Sequence, residues 1–548
     1  MDGPYILPED DPYAQRPSFW RKHESAVWAV FVCIVTVVLT VLSFPPYKTP
    51  EFAYAFAAPA IFWAYLRPSF KLYASTIFVA QAVAWWIMLG WLHNVTWGGI
   101  VLLGPLVGAW VGVWYLAVWW TIPRIHSHAP MMRVLGMLGL AGLWVVLEWS
   151  RTWLLSGFPW LPLASSQWER SIMLQIASFT GAYGISFVLI FFNLGFAAYG
   201  FRLIREKHRG LKRRSVEFMA ALMVLMFTTF PLLPEVFNQD RQPWLRLSLV
   251  QPYVPQTVKW DPAMGPGIIN MLEDLTLKAA RQQPDIILWP EAVTPWAVKG
   301  SKDMRAFVES LSARSKRPIV LGSIGIENFG EENEEWYNAV FAVTPFEGVF
   351  TGYYAKRHLV PYGEYVPLRP ILGGLLTKFA GVGDDFHVGE DSHPLVIPWS
   401  GGSAVLGPLI CYEDIYPQLA RSSVITGAEL LTVHSNTVWF GQSGATIQHL
   451  AHSVLRAVET RRPVVRVGNG GWSGWIDEFG NVRETVTDEN DNIYFRGTEL
   501  VKVSRDKQWI GYTSFYVKHG DWFVLLCAVL VVLARWLIVF IRPPEEPV

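Results

Sequence analysis

Three stretches of the 548-residue chain end an apolar run on a side chain able to do chemistry. They are Ile286-Ile287-Leu288-Trp289-Pro290-Glu291, Tyr353-Tyr354-Ala355-Lys356 and Leu409-Ile410-Cys411-Tyr412-Glu413. Short apolar runs of this kind read as buried strands, and catalytic groups in α/β folds gather where strands end and loops begin. A carboxylate, an ammonium and a thiol meeting there could act on one carbonyl. Glu291 would remove the thiol proton, Cys411 would attack, and Lys356 would hold the developing oxyanion. Taken singly, each residue has an ordinary alternative. Glu291 also suits a helix start, Lys356 opens a Lys-Arg-His surface run, and Cys411 suits buried filling. A nucleophilic cysteine needs a lowered pKa and some exposure, and a sequence displays neither. Metal chemistry is not indicated: His358, His434, His449 and His452 form no i, i+4 pair around a Glu base, and no second cysteine lies near Cys411.

The elements that must position these groups lie in residues 242–517. Strand-like runs are expected at 245–251, 285–289, 318–323, 337–344, 352–356, 404–411, 430–434 and 464–467. A helix from Gly267 places Ile268, Leu272, Leu275 and Ala279 on one stripe. Further helices are expected at 304–315 and at 446–461, the latter with Ile447, Leu450, Val454 and Val458 along one face. Continuous apolar strands alternating with amphipathic helices argue an α/β domain with covered sheets. No internal repeat is visible.

The rest of the chain belongs to another solvent. Apolar residues make up 52% and charged residues 16%, where a soluble domain carries ~25% charge. Lys+Arg equals Asp+Glu at 45 each, so no net field draws a nucleic acid. The 28 Trp and 20 Tyr suit the wet edges of a bilayer. Seven spans are expected at 25–44, 52–66, 71–92, 98–122, 133–150, 178–201 and 215–234, and an eighth at 522–541, each approaching the ~20 residues a crossing needs. The first begins after a polar or mixed stretch and is too long for a signal-peptide core, so it reads as an anchor. The domains follow: a 1–24 N-terminal segment, a 25–234 membrane domain, the 242–517 insert, a last helix at 521–541 and a 542–548 tail. Cys33 and Cys527 fall inside the apolar runs as small packing residues. Glu148, near a span's end, is expected to pair with Arg151 at i+3.

Orientation follows from the short loops. One side holds fourteen Lys/Arg, seven of them between Arg202 and Arg214, and the other holds Lys48, Arg151 and Arg170. The fourteen-residue side is expected in the cytoplasm. Seven crossings then put residues 242–517 outside it and both termini inside.

At this point the residues carry a family resemblance. Trp289-Pro290-Glu291, Lys356 and Cys411-Tyr412-Glu413 resemble the Glu–Lys–Cys triad of the nitrilase, or carbon–nitrogen hydrolase, superfamily. The stretch Lys356-Arg-His-Leu-Val-Pro-Tyr-Gly-Glu-Tyr-Val-Pro367 resembles the narrower group of apolipoprotein N-acyltransferases. So do Ser248-Leu-Val-Gln251, Pro255-Gln256, Lys259-Trp260, Ser435-Asn436, Trp439-Phe440, Arg456-Ala-Val-Glu-Thr460 and Arg462-Pro463. The resemblance implies about eight spans, an inserted αββα sandwich, and residence in a bacterial inner membrane with the catalytic domain on the periplasmic side. It implies a ping-pong acyl transfer without cofactor or metal. A glycerophospholipid, commonly phosphatidylethanolamine, would acylate Cys411. The thioester would then acylate the α-amino group of a diacylglyceryl cysteine at the N-terminus of an apolipoprotein. Glu364 would support Lys356 and the base, the Tyr412 N–H would join Lys356 around the oxyanion, and Glu413 would lie beside the pocket. Trp260, Asn436, Trp439 and Phe440 would contact substrate.

Two departures stand out. Thr437-Val438 replaces an Asp-Ala pair common in that family, and Gly468-Asn-Gly-Gly-Trp472 with Trp475 is bulkier than the usual version. Two other readings share the frame: a membrane-tethered nitrilase-type amidohydrolase, in which water replaces the amine, and a non-catalytic lipid carrier, which needs no triad. The Gly/Pro-containing stretch 367–384 is expected to form a mobile lid.

Overall fold

Seven helices in the computed structural model, which describes residues 24–205, 215–259, 261–367 and 385–541, are long and apolar enough to cross a membrane. They are Glu24–Ser43, Phe70–Met88, Trp97–Ile125, Pro130–Ser150, Ala182–Ile204, Val216–Phe237 and Trp522–Phe540. The expected span at 52–66 differs. It is a 3-10 turn, Pro50–Tyr54, followed by the short helix Ala58–Tyr65. Pro59 lies in the first turn of that helix, a position that suits proline at a helix start and not in an interior. Eight residues of helix rise only ~12 Å, so this helix does not cross alone. The broken segment still reaches both ends of the bundle. Glu51 pairs with Arg170 at 2.5 Å at one end, and Tyr65 stacks on Phe201 at the other, with ring centroids 4.7 Å apart.

Lipid tails are as apolar as leucine, so membrane helices associate through close packing more than through hydrophobic drive. Small residues supply it here. A Cβ on Gly108 would lie 2.8 Å from the Gln81 carbonyl of the neighbouring helix. One on Gly142 would lie 2.8 Å from the Cys527 carbonyl of the last helix. Cys527 is buried and Cys33 half-buried, both within helices. Glu148 and Arg151 do not form the expected ion pair. Glu148 instead accepts from the Trp144 indole, the Leu163 amide and the Ser186 hydroxyl at 3.1, 2.8 and 2.7 Å. Arg151 turns to the carbonyls of Phe158 and Trp160. Irregular backbone at 157–163 leaves amides and carbonyls to satisfy, and each takes one of the two charges.

The strands are β1 (Arg241–Gln251), β2 (Ile286–Leu288), β3 (Ile319–Glu327), β4 (Glu335–Thr344), β5 (Gly348–Val349), β6 (Tyr354–Ala355), β7 (Leu395–Trp399), β8 (Gly402–Ile410), β9 (Leu430–Ser435), β10 (Val464–Gly468), β11 (Gly474–Ile476), β12 (Val482–Thr485) and β13 (Gly497–Asp506). One sheet runs β13-β1-β2-β3-β4-β5, with β6 on β4; the other runs β12-β11-β10-β9-β8-β7. From β13 to β5 the pairings are antiparallel, parallel, parallel, antiparallel, antiparallel. From β7 to β12 they follow the same order. The domain is thus two copies of one topology, a repeat that the residue identities do not display.

Leu247, Leu249 and Leu288 share a core with Leu406, Ile410 and Val465 of the facing sheet. Helices Gly265–Arg281 and Lys302–Ser315 cover the first sheet from outside. Pro417–Ile425 and Ala445–Thr460 cover the second, completing an αββα sandwich. The second pair does not face water. Every residue of Ala445–Thr460 except the half-buried Ile447 is buried, because the membrane helices pack on its far side in one apolar cluster reaching from Trp114 to Val458. The basic residues gather at the opposite end of the bundle. There Arg67 donates to the Pro123 carbonyl at 3.3 Å, and Arg133 and Arg202 both pair with Glu217.

Gly108→Leu and Gly142→Leu should each lower the thermal midpoint in detergent, by a destabilisation of about 1–3 kcal/mol. Gly200→Leu, whose Cβ meets nothing within 4 Å, should leave it unchanged. Tryptophan fluorescence during heating distinguishes these outcomes.

Candidate active site

Each triad residue leaves a strand of the sandwich. Glu291 is the third residue after β2, Lys356 directly follows β6, and Cys411 directly follows β8. Parallel β2 and β8 are interior strands of their sheets, so their ends open on the same edge of the sandwich core. Two of the three turns are strained. Cys411 itself sits at φ +55°, and Ala292, beside Glu291, at φ +43°. A left-handed conformation at a non-glycine costs on the order of 1–3 kcal/mol and persists only where its surroundings over-determine it. At Cys411 it makes a sharp strand-to-helix turn that projects the thiol, with the 3-10 turn Cys411–Ile415 following. Gly322 on β3 lets the Glu291 turn pack down, since a Cβ there would lie 2.5 Å from the Pro290 carbonyl.

Lys356 is the centre of the constellation. Its Nζ lies 2.8 Å from Glu364 Oε1 and 3.4 Å from Glu291 Oε1, and the side chain is only 1% exposed. The Cys411 thiol lies beside the Glu291 carboxylate, near enough for that charge to act on it. Asn338 on β4 donates to both carboxylates, at 2.8 Å to Glu291 and 2.9 Å to Glu364. Its own carbonyl accepts the Lys356 amide at 2.8 Å. Burial by itself would lower the Lys356 ammonium, but Glu364 and Glu291 overcome it and hold the cation well above its ordinary value. Burial would raise Glu291, yet Lys356, Lys259 and Asn338 bring it below the usual carboxylate range. The Cys411 thiol is pushed up by burial and by Glu291, against the pull of Lys356. At neutral pH the site therefore holds an ammonium, an ionised carboxylate and a protonated thiol.

The other sequence-predicted residues divide. Glu364 joins the site directly, and its second oxygen takes the Val360 amide at 2.8 Å. Tyr412 begins the turn after the nucleophile. Its ring lies 5.5 Å from the Lys356 Nζ, and its hydroxyl donates to the Leu359 carbonyl at 2.6 Å. Glu413 is fully engaged in holding the site together. Oε1 accepts the amides of Arg357 and His358 at 2.7 and 3.1 Å. Oε2 accepts the Ile410 amide at 2.7 Å and the Tyr354 hydroxyl at 2.8 Å. One carboxylate thus ties the backbone after Lys356 to the backbone before Cys411. The Asn436 side chain is similarly engaged, donating to Gln256 and accepting from Asn469, both at 3.0 Å. Phe440 packs on Trp91 of the membrane block with centroids 4.5 Å apart, while Trp439 is 45% exposed. Trp260 lies outside the described residues, as do residues 368–384 of the expected lid.

Three features escape a reading of the sequence. Asn338 is a polar residue inside an apolar strand, which is the signal it leaves. Lys259 is buried within reach of Glu291 and Cys411; burial brings its ammonium down to about 8 against their opposing pull. The third is a charged cluster behind the nucleophile, in which Asp414 Oδ1 takes His449 Nε2 at 2.7 Å and Asp414 also pairs with Arg466.

The fold and these residues define a membrane protein built around a carbon–nitrogen hydrolase domain. The family model so described, Carbon-nitrogen hydrolase, matches residues 246–498. A second, Apolipoprotein N-acyltransferase N-terminal domain, matches residues 36–195. The Apolipoprotein N-acyltransferase of Geobacter metallireducens is 30% identical over 506 residues, covering 90% of this chain and 92% of that one. Its counterpart from Azotobacter vinelandii is 33% identical over 376 residues, 68% of each. The chain belongs to the apolipoprotein N-acyltransferase family, and is a multi-pass membrane acyltransferase. Among solved structures, a Nesterenkonia amidase of the nitrilase superfamily aligns with TM-score 0.37 and 18% identity, over 53% of this chain and 98% of its own.

Replacing Glu291 by glutamine removes a charge that raises the thiol and leaves the Lys356 charge that lowers it, so the Cys411 pKa should fall. Alkylation of Cys411 by iodoacetamide near pH 8 should become roughly tenfold faster in Glu291→Gln. Lys356→Met should slow it. A slower Glu291→Gln protein would contradict this charge arrangement.

Proposed function

We propose that the protein moves an acyl chain from a membrane glycerophospholipid to the α-amino group of the S-diacylglyceryl cysteine that begins an apolipoprotein, with Cys411 as the carrier. The observation that carries this reading is the pairing of a thiol and an ionised Glu291 beside a buried Lys356, in a domain seated directly on the membrane block.

The chemistry follows from the charges. Cys411 Sγ attacks the ester carbonyl as its proton passes to Glu291. The carbonyl oxygen becomes an oxyanion facing the Lys356 ammonium and the Tyr412 N–H at the start of the turn. The oxyanion collapses, the C–O bond breaks, and Glu291 returns the proton to the departing lysophospholipid oxygen. The thioester is a better acyl donor to an amine than the oxygen ester was, so one difficult step becomes two easier ones. In the second half the lipoprotein amine attacks the thioester carbonyl, Glu291 takes its proton, and the proton returns to Sγ as the amide leaves. Glu364 and Asn338 keep Lys356 charged and Glu291 oriented throughout. Phosphatidylethanolamine suits the donor role as an abundant bilayer lipid.

Both substrates are lipid-anchored, which supports the seat on the bundle. The basic end of the bundle lies opposite the sandwich, and by the distribution rule for Lys and Arg this supports a cytoplasmic basic end and an extracytoplasmic catalytic domain. Trp439 and Phe440 stand at the seam between the two blocks, where an acyl chain would enter.

Mass spectrometry tests the reading. Purified protein incubated with phosphatidylethanolamine should gain one acyl mass on Cys411. A diacylglyceryl-cysteine peptide should then discharge it as an amide. Cys411→Ala and Glu291→Gln should form no adduct, a loss of at least ~10³ in rate. Release of free fatty acid without amide would favour a hydrolase instead.

A further inference from the structure

Helix Ala445–Thr460 lies between the nucleophile's turn and the membrane helices, and two consecutive side chains on it are engaged on different sides. Gln448 faces the membrane block. Its Oε1 accepts the indole N–H of Trp91 at 3.0 Å and of Trp160 at 2.9 Å. Its Nε2 donates to the carbonyls of Pro45 at 3.2 Å and Met88 at 3.0 Å. An indole only donates and a carbonyl only accepts, so the amide's orientation is determined by its partners and its full bonding capacity is used.

His449 faces the nucleophile. Arg466 Nη2 reaches its Nδ1 at 3.1 Å. A guanidinium only donates, so Nδ1 accepts and the proton resides on Nε2. That Nε2 bonds Asp414 Oδ1 at 2.7 Å, three residues past the nucleophile. Arg456, seven residues further along the same helix, donates to the carbonyls of Asp414 and Ile415, both at 3.2 Å. The turn that holds Cys411 at φ +55° is thus suspended from this helix. Trp160 touches both halves: its indole bonds Gln448, and its ring lies 5.5 Å from His449.

We infer that Gln448 and His449 are positioning residues for the acylation of Cys411, and that the membrane block, by gripping Gln448, sets the geometry of the nucleophile's turn. The membrane domain is then a working part of the catalytic centre as well as an anchor. This rests on the thioester reading of Cys411.

The test uses the full chain in detergent and a soluble p-nitrophenyl acyl ester, which does not need the lipid route between the membrane helices. Gln448→Glu is nearly isosteric but turns an acceptor toward two carbonyls. His449→Phe keeps the ring and loses the bonds. Each should lower the acylation rate constant about ten- to a hundredfold with KM for the ester unchanged. His449→Gln, which can donate to Asp414 and accept from Arg466, should recover most of the loss. Wild-type rates in Gln448→Glu and His449→Phe would overturn the inference. So would a change confined to KM, or a loss that disappears well below each variant's thermal midpoint. If the unaltered protein forms no thioester, the thioester reading fails instead. Iodoacetamide alkylation of Cys411 in the same variants then still reports its geometry, and equal rates would overturn the inference.

Discussion

A single ammonium buried between two carboxylates organises this protein. Lys356 has almost no contact with solvent, yet it sits 2.8 Å from Glu364 and 3.4 Å from Glu291. A buried cation is costly unless its partners are close and themselves hydrogen-bonded. Asn338 meets that condition by donating to both acids. The arrangement has a chemical consequence. Glu291 stays ionised although buried, while the adjacent thiol stays protonated. The site therefore holds an ionised carboxylate, a protonated thiol and a buried ammonium side by side, the charge state that the proposed acyl transfer calls for. Glu364 makes this possible.

The triad comes from three loops, and loops alone do not hold atoms to a fraction of an ångström. Rigidity is imported. Glu413 links the loop after β6 to the turn after β8 with four hydrogen bonds from three backbone amides and one hydroxyl. Behind the turn, Asp414, His449 and Arg466 form a wholly buried cluster. Beyond that lies the membrane block, joined through Gln448. The apolar cluster that begins among the membrane helices ends on the strands and helices behind Cys411, so there is no soft boundary between anchor and enzyme.

Some of this was legible in the residues and some was not. The spans were legible where a long apolar run was uninterrupted. The 52–66 segment was not, because proline placement, and not mean hydropathy, decides where a helix can start. Strands β1, β3, β4 and β10 announce themselves as apolar runs. β13 does not: only Val501 and Val503 point to the core while Lys502 points out, and its place beside β1 comes from a pairing some 250 residues long-range. Glu413 illustrates the same limit in the site. The family resemblance set it beside the pocket, but only the structure shows its carboxylate turned back into the backbone after Lys356 and before Cys411. Glu148 and Arg151 have the spacing of a pair, yet each is drawn away by irregular backbone that lies far from both in helical terms.

What the sequence alone determined is the chemistry and its setting. A carboxylate, an ammonium and a thiol at three strand ends, inside a chain too apolar for water and with its basic loops gathered on one side, point to carbonyl chemistry at a membrane. Residue type and hydropathy are local properties, so they can be read along the chain. What only the tertiary structure decided is which proton each group holds and what keeps the groups apart by a few ångströms. Those depend on burial and on neighbours such as Asn338, Gln448 and Arg466 that are distant in sequence, and the free energy of a charge is set by what surrounds it in space.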